Sequence, residues 1–257
     1  MAYMSGNDSG TIDEGGSMGL KSLSSQYKID GERQIVITEV TRMTGGMVCV
    51  AGLDIHSGAM IRPLQPDGRN WEQSKWVDKD YMVVGNILSL VPAAAGSSAY
   101  PHASEDYRVK TVRRLGTASN DDLYIACRDN SDSDADSVFD NQINDEKYVV
   151  AGTKCRSLGC IMVSHSKLKA SVFYDKIQVS YRDSQGSWHN FPVTDLTAKS
   201  SKSLEEGAAS LNERISMSSY FKPVALRLGL SRAWKGKNNE YNPMRCYVQL
   251  NGIIVSA

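Results

Sequence analysis

The sequence predicts a mainly β protein with minor α content, in which two small β-barrels are joined by an acidic helical connector. Short β-rich runs fill residues 31–115, an acidic stretch occupies 116–150, and β-rich runs return over 151–257. Because the runs are short and joined by tight turns, they favour barrels over a sandwich of long strands.

In the first barrel, "VCVAGLDI" and "AMIRPL" form a predicted hairpin whose turn is His56-Ser57-Gly58. Proline removes a backbone donor from a β-ladder, so Pro63 and Pro66 are expected to end the second strand. This would place Arg62 at a strand end and Arg69 in an exposed loop.

The connector begins with "NDDLYIAC", whose Asn and Asp residues are typical of a helix start. In the second barrel, "DKIQVSYRDSQGSWHNF" is a predicted hairpin. Ser203 and Glu206 have the spacing of a capping box, which predicts an inserted helix near 203–215. Residues 1–30, rich in Gly, Ser and Asp, are expected to be a flexible leader.

Charge is unevenly distributed along the chain. The 29 Lys and Arg balance 29 Asp and Glu overall, yet residues 1–150 hold 14 basic and 22 acidic side chains and the remainder holds 15 and 7. This asymmetry suggests that the carboxy-terminal half meets a polyanion. The alternative is that the two halves neutralise one another, across an interface or between copies.

The five cysteines are scattered through apolar patterns, as expected of reduced thiols rather than a disulfide framework. No apolar run approaches the ~18 residues of a membrane helix, and the amino terminus lacks the pattern of a secretion signal. We therefore expect a cytoplasmic protein with no membrane partner.

Several blocks, in one order, carry a resemblance to a known family: "IVITEVTRMTGGMVCVAGLDIHSGAMIRPL", "PHASEDYRV", "GTKCRSLGCI", "FPVTDL", and "LRLGLSRAWKG" followed by "CYVQLNGI". In these blocks the chain resembles the bacterial and phage proteins described as containing a dual OB domain. The resemblance covers almost everything but the leader. It implies two tandem OB-like barrels, which bind oligonucleotides or oligosaccharides, and it implies no particular reaction.

Catalytic motifs are few. His102, Glu105 and Asp106 could bind a divalent ion or act as acid and base, but they could equally cap the turn before a strand and pack at a barrel mouth. Cys155, Cys160 and His165 do not supply the four ligands of a zinc site by spacing. We predict no metal and no cofactor.

Basic residues beside aromatic ones are the stronger signal, because OB barrels hold phosphates with cations and stack bases on aromatic rings. The predicted ligand-binding residues are Arg62, Arg69, Trp71, Arg156, Arg227, Arg232, Trp234, Lys235, Gln249 and Asn251. For each tryptophan, a place in the core is an equal alternative. By period two, Arg227 should point away from Leu226 and Leu228.

The leading hypothesis is therefore a non-enzymatic binding protein for single-stranded nucleic acid or a nucleotide. An alternative is a protein-protein interaction module in a phage or antiphage system, with a protein partner or a homo-oligomer. A second alternative is a metal-dependent nuclease or nucleotide-processing enzyme centred on His102, Glu105 and Asp106.

Overall fold

The computed structural model describes residues 19–94, 96, 98–183, 186–218 and 222–256. The strands are β1 (Arg33–Arg42), β2 (Met47–Asp54), β3 (Met60–Leu64), β4 (Trp71–Glu72), β5 (Asn86–Pro92), β6 (Asp106–Thr117), β7 (Tyr148–Val150), β8 (Leu158–Val163), β9 (Leu168–Phe173), β10 (Lys176–Arg182), β11 (Trp188–Pro192), β12 (Val224–Leu230) and β13 (Arg245–Ile254). The helices are α1 (Leu20–Gln26), α2 (Gln73–Trp76), α3 (Asn120–Asp129), α4 (Ala135–Val138), α5 (Leu196–Lys199) and α6 (Leu204–Ser216).

The first barrel, formed by β1 to β6, is closed. Its sheet runs β1-β5-β6-β3-β2, and β2 pairs again with β1, while β4 pairs with the start of β2 at Met47 and Val48. The predicted hairpin joins β2 to β3, with Gly58 at a positive φ of 73° that a glycine adopts without strain. The β3–β6 pairing is parallel and begins at Arg62 and Asp106, so Pro63 lies within the strand rather than ending it.

The second barrel, formed by β7 to β13, is a half-barrel of two sheets around one core. The three-stranded sheet runs β11-β10-β9 and the four-stranded sheet runs β7-β13-β12-β8. An isolated bridge between Val193 and Leu250 joins the two sheets where β11 ends. The mainly β, OB-type architecture predicted from the sequence is confirmed.

The helical segments lie where the sequence suggested. Helices α3 and α4 occupy the acidic connector, and α6 begins after Ser203, whose hydroxyl accepts the backbone N–H of Glu206 at 3.1 Å. The carboxylate of Glu206 accepts the N–H of Lys202, not that of Ser203, so only half of the predicted capping box forms. Most of the predicted leader, residues 1–18, lies outside the described residues, but its end forms α1, where Leu23 is buried.

Two central strands are buried on both faces because the barrels pack against each other. In β1, Ile35 and Ile37 enter the core of the first barrel, whereas Val36 enters a separate cluster that also holds Ala225 and Ile254 of the second barrel. Strand β12 is buried along its whole length. The barrels therefore share an apolar interface, and side chains that alternate away from one core enter this interface rather than solvent.

Candidate functional site

A groove of about 1220 Å³ lies on the second barrel, hereafter the groove. Its lining residues are Thr44, Lys147, Ser171, Phe173, Lys176, Gln178, Ser180, Asn190, Phe191, Pro192, Val193, Thr194, Lys199, Ser231, Arg232, Trp234, Tyr247, Val248 and Gln249. Four of these are cations, and none of the described lining residues is Asp or Glu. Thr44 comes from the turn after β1, so the first barrel contributes to the rim.

One wall of the groove is the outer face of the three-stranded sheet. Strand alternation buries Ile177, Val179 and Tyr181 in the core, which turns Lys176, Gln178 and Ser180 outward. Cross-strand neighbours extend this face, because Phe173 pairs with Lys176, Ser171 with Gln178 and Asn190 with Ser180. The wall thus presents amides, hydroxyls, a cation and an aromatic ring side by side.

An aromatic cluster forms another part of the rim. The Trp234 ring centroid lies 5.5 Å from that of Tyr241 and 6.0 Å from that of Tyr247. The Arg245 guanidinium lies 4.0 Å from the centroid of Tyr241 and 4.2 Å from that of Tyr148. Trp234 is still 43% exposed. The cluster therefore holds the indole at the surface with part of it free for stacking.

Positive charge accumulates where the two barrels meet at the groove. Burial, together with nearby Arg42 and Lys176, lowers the pKa of Lys199, while Asp175 acts in the opposite direction. The Arg42 guanidinium donates to the backbone oxygen of Lys199 at 2.6 Å, so the first barrel brings a cation to this end. A polyanion would relieve the mutual repulsion of these three cations.

The predicted catalytic block lies at the barrel interface. Arg62 donates to Asp106 at 2.7 Å and to the Ser157 hydroxyl at 3.1 Å. Ser157 gives its backbone N–H and its hydroxyl to the two oxygens of Glu105, at 2.8 and 2.7 Å. We define Arg62, His102, Glu105, Asp106, Ser157 and Arg232 as the interface network. Burial raises the pKa of Glu105 although Ser157 and Arg62 act against it.

His102 is neutral in this network. An arginine only donates, so the 3.3 Å contact with Arg62 makes Nδ1 of His102 an acceptor, and Nε2–H then donates to the Ser231 oxygen at 3.1 Å. Burial, with Arg62 and Arg232 nearby, lowers the pKa of His102 to about 3. Within the described ranges, no three His, Cys, Asp or Glu side chains are arranged to hold a metal ion.

Four predicted ligand residues are interior: Arg62, Trp71, Arg227 and Asn251. Arg62 is 3% exposed, not at an exposed strand end as the prolines suggested. Arg227 does point away from its leucine neighbours, but it meets Glu39 of the first barrel at 2.8 Å, because the side opposite the core is the barrel interface. Trp71 is 4% exposed, and its indole N–H donates to the Pro63 oxygen at 2.7 Å. It is therefore a core residue, which was the alternative for each tryptophan.

Asn251, the fourth interior residue, donates to Glu39 at 3.0 Å. The other predicted residues divide by location. Arg156 bonds Asp132 at 2.8 Å and Asp140 at 3.0 Å, which ties the second barrel to the connector. Arg69 lies in an exposed loop, as expected, and pairs with Asp67. Lys235 is exposed next to the groove without lining it.

Arg232, Trp234 and Gln249 are the predicted residues that the fold brings together in the groove. Sequence reasoning missed Lys147, Lys176, Lys199 and the first-barrel cation Arg42, and the aromatic residues Phe173 and Tyr247. Lys176 could have been predicted from the sequence, because the alternation in "DKIQVSYR" places it on the face of the strand opposite to that of Ile177. The others come from separate segments that only tertiary packing unites.

No described helix is long and apolar enough to cross a membrane.

Comparison with known proteins gives a family and weak structural similarities. No curated protein matches the chain. A murine DNA-binding protein in complex with double-stranded DNA is 10% identical, with 88% of this chain and 99% of that chain covered and a TM-score of 0.30. The p204 HINb domain is 11% identical, with coverages of 89% and 100% and a TM-score of 0.32. Such low scores carry no argument about a ligand.

The model of the dual OB-containing domain, by contrast, matches residues 33–253 and so spans both barrels. The chain belongs to the dual OB-containing domain family.

Proposed function

We propose that this protein binds single-stranded nucleic acid in the groove, without catalysing a reaction on it. The observation that carries the proposal is the composition of the groove: Lys147, Lys176, Lys199 and Arg232 line it, and no described lining residue is acidic. Cations that follow a backbone, beside aromatic faces on which bases stack, are the usual means of binding single strands.

Stacking surfaces support an unpaired strand over a duplex. Trp234 and Phe173 line the groove and are 43% and 55% exposed. A base can stack on such a ring only when it is free of its own neighbours, which favours single strands. Gln178, Asn190 and Gln249 add amides that can both donate to and accept from base edges.

The proposal is tested by fluorescence anisotropy with labelled single-stranded DNA, single-stranded RNA and duplex DNA at low and moderate salt. We expect tighter binding to at least one single-stranded probe than to the duplex, and affinity that falls as salt rises. No binding to any single-stranded probe at low salt would overturn the proposal.

A matched pair of variants localises the site. Lys176→Gln with Lys199→Gln removes two cations that line the groove, and Lys75→Gln with Lys79→Gln removes two exposed cations around α2 of the first barrel. Both double variants change the net charge equally. We expect only the first to weaken binding and to reduce the slope of log affinity against log salt, by roughly 1.4. Equal effects would indicate attraction by overall charge and exclude the groove as the site.

A further inference from the structure

Arg232 faces the groove, yet its ionic partner belongs to the other barrel. Its Nη1 lies 3.0 Å from Oδ2 of Asp106 and its Nη2 lies 3.3 Å from Oδ1, so the ion pair is bidentate. The Asp106 side chain is 2% exposed, whereas that of Arg232 is 43% exposed. The buried carboxylate therefore binds one edge of the guanidinium and leaves the remaining N–H groups of Arg232 available to a ligand.

Asp106 is itself fixed. Arg62, 3% exposed, bonds its Oδ1 at 2.7 Å and is anchored in turn by Ser157. Burial alone would raise the pKa of Asp106, but Arg62 and Arg232 together lower it, so the carboxylate stays ionised near neutral pH.

The backbone before Arg232 is also held. The Ser231 oxygen accepts from His102 of the first barrel at 3.1 Å, and the Ser231 N–H donates to the Tyr247 oxygen at 2.8 Å. Both the side chain of Arg232 and the chain that carries it are thus positioned by contacts that cross the barrel interface.

We propose that Asp106 is a positioning residue through which the first barrel holds the Arg232 guanidinium ready for a phosphate oxygen of the bound strand. This inference rests on the proposed function. Asp106 has two opposing effects on phosphate binding. Its negative charge weakens the attraction of Arg232 for a phosphate, whereas its hydrogen bonds order the Arg232 side chain in advance and so remove the entropic cost of ordering it on binding. Positioning means that the second effect outweighs the first.

Asp106→Asn tests the inference because the two effects differ in sign. The substitution keeps the shape and removes one negative charge, so electrostatics alone predicts tighter binding of a polyanion. Positioning predicts that affinity for a labelled single strand of about 12 nucleotides falls about 3- to 10-fold. Asp67→Asn, an exposed carboxylate paired with Arg69, makes the same charge change elsewhere and should leave binding unchanged or slightly tighter.

A double-variant cycle separates positioning from a general loss of structure. If Asp106 acts through Arg232, Asp106→Asn should cause no further loss once Arg232→Ala is present. A merely structural role would weaken binding equally in both backgrounds, and that result would overturn the inference. Unchanged or tighter binding by Asp106→Asn alone would also overturn it.

Arg232→Lys keeps the inference testable should Asp106→Asn fail to fold. The Arg232 side chain is exposed at the groove, and a lysine keeps the charge but cannot form the bidentate ion pair with Asp106. We expect affinity to fall about 3- to 10-fold, less than in Arg232→Ala because the charge remains, whereas wild-type affinity would overturn the inference. Absence of binding by the wild-type protein would overturn the proposed function as well, whereas a failure confined to these variants overturns the positioning role alone.

Discussion

Glu39 of β1 and Arg227 of β12 form an ion pair of 2.8 Å that joins the two barrels, with side chains 1% and 0% exposed. Asn251 of β13 donates to the second oxygen of Glu39 at 3.0 Å, and Arg227 also contacts the sulfur of Met60. Taking both charges out of water is costly, and the pair repays that cost only while both members are present. The pair therefore favours an arrangement of the barrels that keeps the two buried charges together.

Arg227→Met should reduce the free energy of unfolding by about 3–5 kcal/mol, because it leaves Glu39 buried without its counter-ion. The measurement is urea denaturation followed by circular dichroism. Adding Glu39→Met should recover much of the loss, since an apolar pair of similar volume needs no solvation.

Arg69→Ala is the control for that comparison. It breaks the pair with Asp67, but Arg69 is 73% exposed there, so we expect no measurable change in stability. Equal losses from Arg227→Met and from its double variant with Glu39→Met would contradict the account of the buried pair.

Arg227 also illustrates what sequence reasoning could and could not predict. Period-two alternation predicted that its side chain points away from Leu226 and Leu228, and in the structure the two leucines lie in the core of the second barrel while Arg227 pairs with Glu39 of the first. Alternation cannot tell solvent from a second barrel, because a lone arginine in an apolar strand has the same pattern whether it is exposed or paired inside. The partner, Glu39, lies 188 residues away along the chain.

The fold was more accessible to sequence reasoning than the groove. Hairpins and the α6 cap depend on neighbouring residues, so local chemistry predicts them: His56-Ser57-Gly58 and Ser203 are examples. The groove instead collects Lys147, Lys176 and Lys199 from three segments around the half-barrel. No local spacing brings these together, and only the assembled sheets do.

His102 should make the protein less stable in acid. Its pKa is lowered in the folded protein from 6.5 to about 3, so between these values the unfolded chain binds a proton that the folded chain does not. The contribution of neutral His102 to the free energy of unfolding is therefore fully present above pH 6.5 and is lost as the pH drops through this window. Protonation would place a second N–H against Arg62, which itself can only donate.

His102→Gln removes that titration. We expect the free energy of unfolding, measured by urea denaturation at several pH values, to fall less steeply below pH 6.5 in the variant than in the wild-type protein. Comparing the two slopes cancels the contributions of Glu105 and Asp106. Identical slopes would show that the folded protein accepts the proton on His102 without penalty.

Trp234→Ala should weaken binding of a single-stranded oligonucleotide about 5- to 100-fold, the range of one lost stacking platform. The indole is 43% exposed at the groove, so little stability should be lost. Anisotropy titrations and thermal unfolding together check both expectations.

Trp71→Phe is the control for Trp234→Ala, because it changes a tryptophan of the core rather than one of the groove. Trp71 packs edge-on against Trp76, with ring centroids 4.8 Å apart, and its indole N–H bonds the Pro63 oxygen inside the first barrel. This variant should unfold at a lower temperature while binding with unchanged affinity. Weaker binding by Trp71→Phe than by Trp234→Ala would move the stacking site to the first barrel.

Arg42→Gln should show that the first barrel supplies charge to the groove. Arg42 ends β1, bonds the backbone of Lys199 and is exposed, so removing it should weaken single-strand binding and reduce the salt slope by roughly 0.7. Arg33→Gln makes the same change at the other end of β1, where Arg33 lies 5.1 Å from the Tyr107 ring. Because that end does not line the groove, Arg33→Gln should leave the slope unchanged, and equal slopes for the two variants would contradict a composite site.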